Sequence, residues 1–125
     1  LKVSAFVPGG RQEANTARFE KRGLAQTVPV WNPEPCTQCN QCATICPHAV
    51  VRPFLLDAEE VKKAPAAFKS IPATGDELKG LNFRIQTSPL DCTGCEVCVN
   101  VCPTQSLSMK PLTEVSEVEG KNWER

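Results

Sequence analysis

Eight cysteines stand in two runs of identical spacing, Cys36, Cys39, Cys42 and Cys46-Pro47, then Cys92, Cys95, Cys98 and Cys102-Pro103. Each run reads C-x2-C-x2-C-x3-C-P, and the second repeats the first 56 residues later. No cysteine lies outside them. Thiols gathered into two short segments leave a chain few ways to fold, because whatever the sulfurs hold must sit at the centre of the structure. Apolar neighbours recur with them, Ile45 matching Val101 and Ala43 matching Val99. An internal repeat of this kind predicts two related halves, each a strand, a cysteine turn, a short helix and a returning strand.

Disulfides suit small secreted frameworks, whereas repeated C-x2-C pairs are metal or redox sites in intracellular chains. Tetrahedral zinc also accepts four cysteines, but its sites usually set two pairs well apart, unlike the single run from Cys36 to Cys46. Soft thiolates without histidine favour iron-sulfur chemistry. The spacing is the established ligand pattern of bacterial-type ferredoxins. Two 4Fe-4S clusters need eight thiolates, and the chain supplies eight with none left over. In the two-cluster ferredoxin arrangement the fourth cysteine of each run ligates the other cluster. That arrangement assigns Cys36, Cys39, Cys42 and Cys102 to a first cluster, and Cys92, Cys95, Cys98 and Cys46 to a second. Pro47 and Pro103 redirect the chain after each fourth cysteine, since proline has a fixed φ and no backbone donor.

With 125 residues, eleven prolines and seven glycines, the chain can bury one modest core. Five Phe and two Trp are its whole aromatic content, so metal-sulfur bonds should carry much of the folding free energy and the apoprotein should be unfolded or molten. Formal net charge is zero, which gives no reason to expect nucleic-acid or membrane-surface binding. Two oxidised clusters would add about −4 and make the working centre acidic. Apolar runs such as Phe54-Leu55-Leu56 are far too short to span a membrane. The expectation is a soluble, cytoplasmic protein. A start at Leu1 instead of Met fits a piece of a longer polypeptide.

The fold class expected is α+β, a bacterial two-cluster ferredoxin-like core of pseudo-twofold symmetry with a loop-rich insertion and extended arms at both ends. Residues 1–35 form an N-terminal arm, 36–112 the ferredoxin-like domain, and 113–125 a C-terminal tail. Returning strands are predicted from Val50-Val51 to Leu56 and from Leu107 to Leu112, each placed at an edge or ended early by its proline, Pro53 or Pro111. Asp57 followed by Glu60 reads as a capping box opening a helix that stops near Ala64, before Pro65. A loop then runs to Gly80, and Asn82 to Thr87 alternates like a strand with Phe83 and Ile85 on one face. The insertion over 57–90 is longer than a minimal ferredoxin needs. In the arm, Val3 to Val7 is a strand candidate, Pro8-Gly9-Gly10 a turn, and the stretch to Gly23 polar.

Beyond the cysteines, several words of sequence are more particular. Phe19-Glu20-Lys21-Arg22-Gly23, Val30-Trp31-Asn32-Pro33-Glu34, Cys39-Asn40-Gln41-Cys42, Cys46-Pro47-His48-Ala49 with Arg52-Pro53, and Glu119 to Glu124 with Asn122-Trp123 together resemble pyruvate:ferredoxin (flavodoxin) oxidoreductase over essentially the whole chain. The resemblance implies the two-cluster domain of a larger, usually homodimeric enzyme that makes acetyl-CoA and carbon dioxide from pyruvate and coenzyme A. It implies thiamine diphosphate, Mg and a third 4Fe-4S cluster elsewhere in the parent, contact with the parent's other domains, and ferredoxin or flavodoxin as electron acceptor. No thiamine-diphosphate signature or phosphate loop appears in this chain, so no catalytic residue for the carbon chemistry is expected here. The alternative is a free-standing ferredoxin or a ferredoxin-like subunit of another redox complex, for which arms without a core of their own have no use.

Other residues permit two readings each. His48, beside a predicted cluster, either donates a hydrogen bond to sulfur or is a surface histidine. Thr37 and Thr93 occupy matched positions that backbone spacing explains as well as tuning does. Trp31 and Trp123 are expected to pack on the parent, and Glu20-Lys21-Arg22 to be a solvated or interdomain run. Gln38 in the first turn replaces Gly94 in the second, which predicts clusters of unequal potential.

Overall fold

A computed structural model describes residues 2–5, 9 and 19–124. They form a small α+β structure of two antiparallel sheets. Strand β1 (Thr27–Trp31) pairs with β5 (Leu107–Pro111), and β2 (Val51–Leu56) pairs with β4 (Asn82–Thr87), which also carries β3 (Ile71–Pro72) on its other side. Between the strands lie α1 (Gln41–Ile45), α2 (Ala58–Lys63), α3 (Val97–Asn100) and α4 (Leu112–Trp123). Proline distribution follows hydrogen bonding. Pro29, Pro53, Pro72 and Pro111 all fall on strands with a free edge, whereas β4, bonded on both sides, has none.

Each sheet takes one strand from each half of the repeat. Thr27 faces Pro111 and Trp31 faces Leu107 in one sheet; Phe83 faces Leu55 and Thr87 faces Val51 in the other. Every partner is displaced by the same 56 residues that separate the cysteine runs. The bonds that close the strands follow suit, Asn32 N–H donating to the Ser106 carbonyl at 2.7 Å and Ser88 N–H to that of Val50 at 2.9 Å.

The buried core is small and partly made of sulfur, with Val28, Trp31, Val51, Phe83, Ile85 and Leu107 packed around Cys42, Cys92 and Cys98. Trp31 and Phe83 meet edge to face at 6.3 Å, a favoured aromatic geometry.

Several sequence expectations need adjustment. Val3–Ala5 is a turn of 3-10 helix, not the start of a strand, and residues 6–8 and 10–18 lie outside the described residues. Within the segment 1–35, β1 completes a core sheet, because β5 needs its backbone partners. The loop from Pro65 to Gly80 contains β3 and a 3-10 turn at Asp76–Leu78, held by the Ala73 N–H donating to Leu81 O at 2.9 Å. The capping box is present: Glu60 N–H donates to Asp57 Oδ1 at 2.8 Å and Asp57 N–H to Glu60 Oε2 at 3.0 Å.

Strand β4 is buried on both faces instead of one. Its polar residues Arg84 and Gln86 are 3% and 1% exposed because α4 lies over them. Glu119 on α4 receives hydrogen bonds from Arg84 Nη2 at 3.2 Å and Gln86 Nε2 at 2.8 Å, so that neither polar group is buried without a partner. At the end of α4, Trp123 meets Phe54 edge to face at 6.4 Å, with the Arg52 guanidinium 5.3 Å and the Lys21 ammonium 5.7 Å from its ring centre.

Candidate metal centre

Each cysteine run is bent by residues in the left-handed backbone region. Gln38 and Asn40 have φ of 58° and 59°; Gly94 and Glu96, their counterparts, have 71° and 63°. Asparagine adopts this conformation readily, but Gln38 and Glu96 do so at a cost that their surroundings must offset. Here the second bend opens a short helix. Asn40 O accepts from the N–H groups of Ala43 and Thr44, and Glu96 O from those of Val99 and Asn100. A further matched pair, Ala49 at 51° and Gln105 at 52°, turns the chain after each Cys-Pro.

The glycine at 94 is set by close approach. A Cβ there would lie 3.1 Å from the Thr27 carbonyl oxygen and 3.2 Å from Ala25 Cβ. At the matched position Gln38 has room for its side chain, whose Nε2 donates to Pro72 O at 2.8 Å and whose Oε1 accepts from Thr74 N–H at 2.9 Å. Gln38 thereby ties the first turn to the insertion.

These bends deliver the sulfurs to two cavities. One is lined by Cys36, Cys39, Cys42 and Cys102, the other by Cys92, Cys95, Cys98 and Cys46. The two are nearly equal in size, about 330 and 320 Å³ counted with the part open to solvent. Each thus gathers three cysteines of one run and the last of the other. Cys42, Cys92 and Cys98 are buried, while Cys39 and Cys95 hold matched exposed corners. Trp31 and Ile85 line the first cavity, and Pro29 and Val51 the second. Thr37 stands at the first; Thr93 and the exposed His48 stand at the second, and no hydrogen bond joins His48 to a sulfur among the described residues. In the Glu20-Lys21-Arg22 run, Glu20 and Arg22 are exposed, while the half-buried Lys21 pairs with Asp91 at 3.3 Å, next to the second cysteine run.

All eight thiols are unpaired. Among the described residues no three His, Cys, Asp or Glu side chains converge to hold a single metal ion. Tetrahedral zinc would need its sulfurs about 2.3 Å from one point, whereas here each set of four surrounds a cavity. Trp31, on the wall of the first, carries a buried Nε1 without a partner, a donor suited to a sulfur-rich object. The soft donor set and the cavities fit iron-sulfur clusters.

The electrostatics also follow this grouping. Burial pushes the Cys42 thiol up to about 11, against the Ala43 N–H, and the neighbouring Cys102, Cys36 and Cys39 push it further in the same direction. Burial pushes Cys98 up to about 12, helped by Cys92 and Cys46. Cys92 is raised for the same reason, opposed by the Gly94 N–H at 3.4 Å. Cys102 differs. Burial raises it, but hydrogen bonds from Ser106 and Thr104 outweigh that and hold it below the usual thiol range. Thr104 and Ser106 were not singled out in the sequence; what marks them is that their counterparts 56 residues earlier are His48 and Val50.

Paired four-cysteine cavities joined by exchanged strands define a two-cluster iron-sulfur domain of ferredoxin type. The chain belongs to the 4Fe-4S double cluster binding domain family, whose profile matches residues 35–105, and its cofactors are two 4Fe-4S clusters. It is 50% identical over 125 residues to "Pyruvate:ferredoxin oxidoreductase" of Moorella thermoacetica, covering 98% of this chain and 11% of that relative. It is 47% identical over 124 residues to "Pyruvate dehydrogenase [NADP(+)], mitochondrial" of Euglena gracilis, covering 99% of this chain and 7% of the relative. To "Pyruvate-flavodoxin oxidoreductase" of Klebsiella pneumoniae it is 52% identical over 112 residues, covering 88% and 9% respectively. The chain therefore spans about a tenth or less of the length of these relatives. No helix among the described residues is long and apolar enough to cross a membrane.

Proposed function

We propose that this chain passes electrons one at a time through two 4Fe-4S clusters, as the ferredoxin-like domain of a pyruvate:ferredoxin or pyruvate:flavodoxin oxidoreductase. The clusters supply the one-electron chemistry. The protein supplies thiolates, exclusion of water and hydrogen bonds that set the potentials. Cys36, Cys39, Cys42 and Cys102 hold one cluster, and Cys92, Cys95, Cys98 and Cys46 the other. One observation carries this reading: each cavity is lined by three cysteines of one run and the fourth of the other.

The equal displacement of strand pairs, turns and caps by 56 residues supports a pseudo-twofold core. In the parent enzyme, a cytoplasmic homodimer, thiamine diphosphate and Mg would supply the carbon chemistry on pyruvate and coenzyme A, and a third 4Fe-4S cluster would carry the electrons on toward this domain. Ferredoxin or flavodoxin accepts the electrons. Residues 36–112 carry the cluster ligands, β1 and α4 pack against them, and the surfaces that the flanking segments 1–35 and 113–125 leave exposed contact the parent's other domains. Exposed Leu24 and Val118 are available for that contact. A free-standing carrier is not favoured, given a likeness that runs through both arms.

Cys102→Ala and Cys46→Ala test the ligand sets. In the anaerobically loaded chain, Cys102→Ala should convert the cluster of Cys36, Cys39 and Cys42 to a three-iron form seen by EPR, and Cys46→Ala the other. Anomalous diffraction at the iron edge locates the missing corner. Loss from the cluster of the same run would show that each run binds its own cluster.

A further inference from the structure

The two ligand sets are alike in spacing, but their fourth cysteines meet different surroundings. The Ser106 N–H donates to Cys102 Sγ at 3.2 Å. Thr104 Oγ1 lies 3.9 Å from the same sulfur and 2.8 Å from Ser106 Oγ. Both residues line the first cavity, and Ser106 is 2% exposed. An iron-bound thiolate has no proton to give, so in the loaded protein the Thr104 hydroxyl is the donor to sulfur. Its oxygen is then free to accept from the Ser106 hydroxyl. The result is a short chain of O–H dipoles ending on Cys102. In such a chain each bond polarises the next.

Nothing comparable stands at Cys46. The matched positions hold His48 and Val50, neither with a hydroxyl, and no hydrogen bond reaches Cys46 Sγ among the described residues. Other contacts to sulfur are closer to balanced, with the Gly94 N–H at Cys92 serving the second set. Trp31, with its unpartnered Nε1, also belongs to the first cavity.

We propose that Thr104 and Ser106 are positioning residues that raise the potential of the cluster ligated by Cys102 above that of the cluster ligated by Cys46, making the first cluster the favoured resting place of an electron shared between them. Reduction adds one negative charge to a cluster and its thiolates, and donors aimed at sulfur stabilise the more negative state. Transfer from the second cluster to the first oxidises one by one electron and reduces the other by one, with no bond made or broken. This inference rests on the crossed ligand sets proposed above.

The test uses the full chain loaded with both clusters, and an EPR-monitored redox titration. Cys39→Ser and Cys95→Ser, at the exposed corners, mark which signal belongs to which cluster. Thr104→Val keeps the shape and removes the hydroxyl; Ser106→Ala removes the second member. Each should lower the share of electrons on the first cluster by about three- to tenfold, as expected for one net hydrogen bond, a tenfold change being about 59 mV for one electron. Thr104→Ser, which keeps the hydroxyl, should retain the original midpoint. Unmoved midpoints with both clusters loaded would overturn the proposal. A shift confined to the cluster marked by Cys95 would overturn the assignment of Cys102 instead.

Discussion

From the strand before each cysteine run to the strand after it, the two halves keep the same register, the same left-handed residues and cavities of nearly the same size. Beyond the returning strands they part. After β2, α2 is a six-residue helix with no buried residue, whereas after β5 the twelve-residue α4 lies across β4. The lesson is one of constraint. Four sulfurs around a cluster fix every backbone atom that carries them, while the flanking segments answer only to whatever surface they meet.

The largest expected effect strikes where the halves differ most. Glu119→Ala removes the carboxylate that Arg84 and Gln86 share, while Arg84 keeps its bonds to Gln86 Oε1 and the Lys69 carbonyl, so the cost is that of lost hydrogen bonds to a charged group, about 2–3 kcal/mol. Chemical denaturation of the loaded chain should show a loss of this size. Retained stability would mean that α4 is as dispensable as α2.

A second prediction concerns protons. Thiols must be deprotonated to bind iron, and burial pushes Cys42 to about 11 and Cys98 to about 12. Both are neutral at pH 7. Raising the pH from 7 to 9 increases the thiolate of each about a hundredfold, so cluster uptake should improve with pH. The sign is opposite for the empty fold: a thiol raised in the folded state favours folding below its unfolded value and loses that contribution as pH rises through the folded one. The lowered Cys102 in the first set, against a second set in which both Cys92 and Cys98 are raised, predicts that the first cavity fills before the second. Iron-sulfur absorbance and EPR during reconstitution across this range would reveal equal filling, and so break the asymmetry.

Exchanging the matched turn residues probes the same comparison at one position. Gly94→Gln places a Cβ 3.1 Å from the Thr27 oxygen at a φ of 71°, for a cost of about 1–3 kcal/mol in strain and displacement. Gln38→Gly forfeits two exposed hydrogen bonds but relieves a left-handed side chain at φ 58°, so about 1 kcal/mol is lost at most. Thermal unfolding of both variants should show the first melting well below the second. The smallest effect belongs to the insertion: Asp57→Ala removes the cap of α2 and should cost about 1 kcal/mol with both EPR signals unchanged.

What could be read from the chain alone was what depends on neighbours in sequence. The cysteine spacing, the Asp57–Glu60 box and the strand over Asn82 to Thr87 are local statements, and residues within a few positions settle them. Helix α4 escaped notice because its inward face carries Glu119 and Asn122, which blur the apolar stripe that identifies a buried helix. Glu119 makes sense only against Arg84 and Gln86 on β4, which donate to it, while the side-chain amide of buried Asn122 meets no hydrogen-bond partner among the described residues. For the same reason β1 looked like part of an arm, since its partner lies about eighty residues further on. The Thr104–Ser106 pair was visible in principle, but only by setting the two repeats side by side and asking where they disagree.

Because β1 finds its partner in β5 and β2 finds its partner in β4, neither repeat contains a complete sheet. A gene encoding one repeat alone would give a chain with two unpaired strands and a cavity short of a ligand. It could function only as two copies embracing each other, each lending the other a strand and a sulfur. Within one polypeptide neither half has to be identical to the other, and the hydroxyl pair beside Cys102 is a difference that two identical copies could not carry on one side alone.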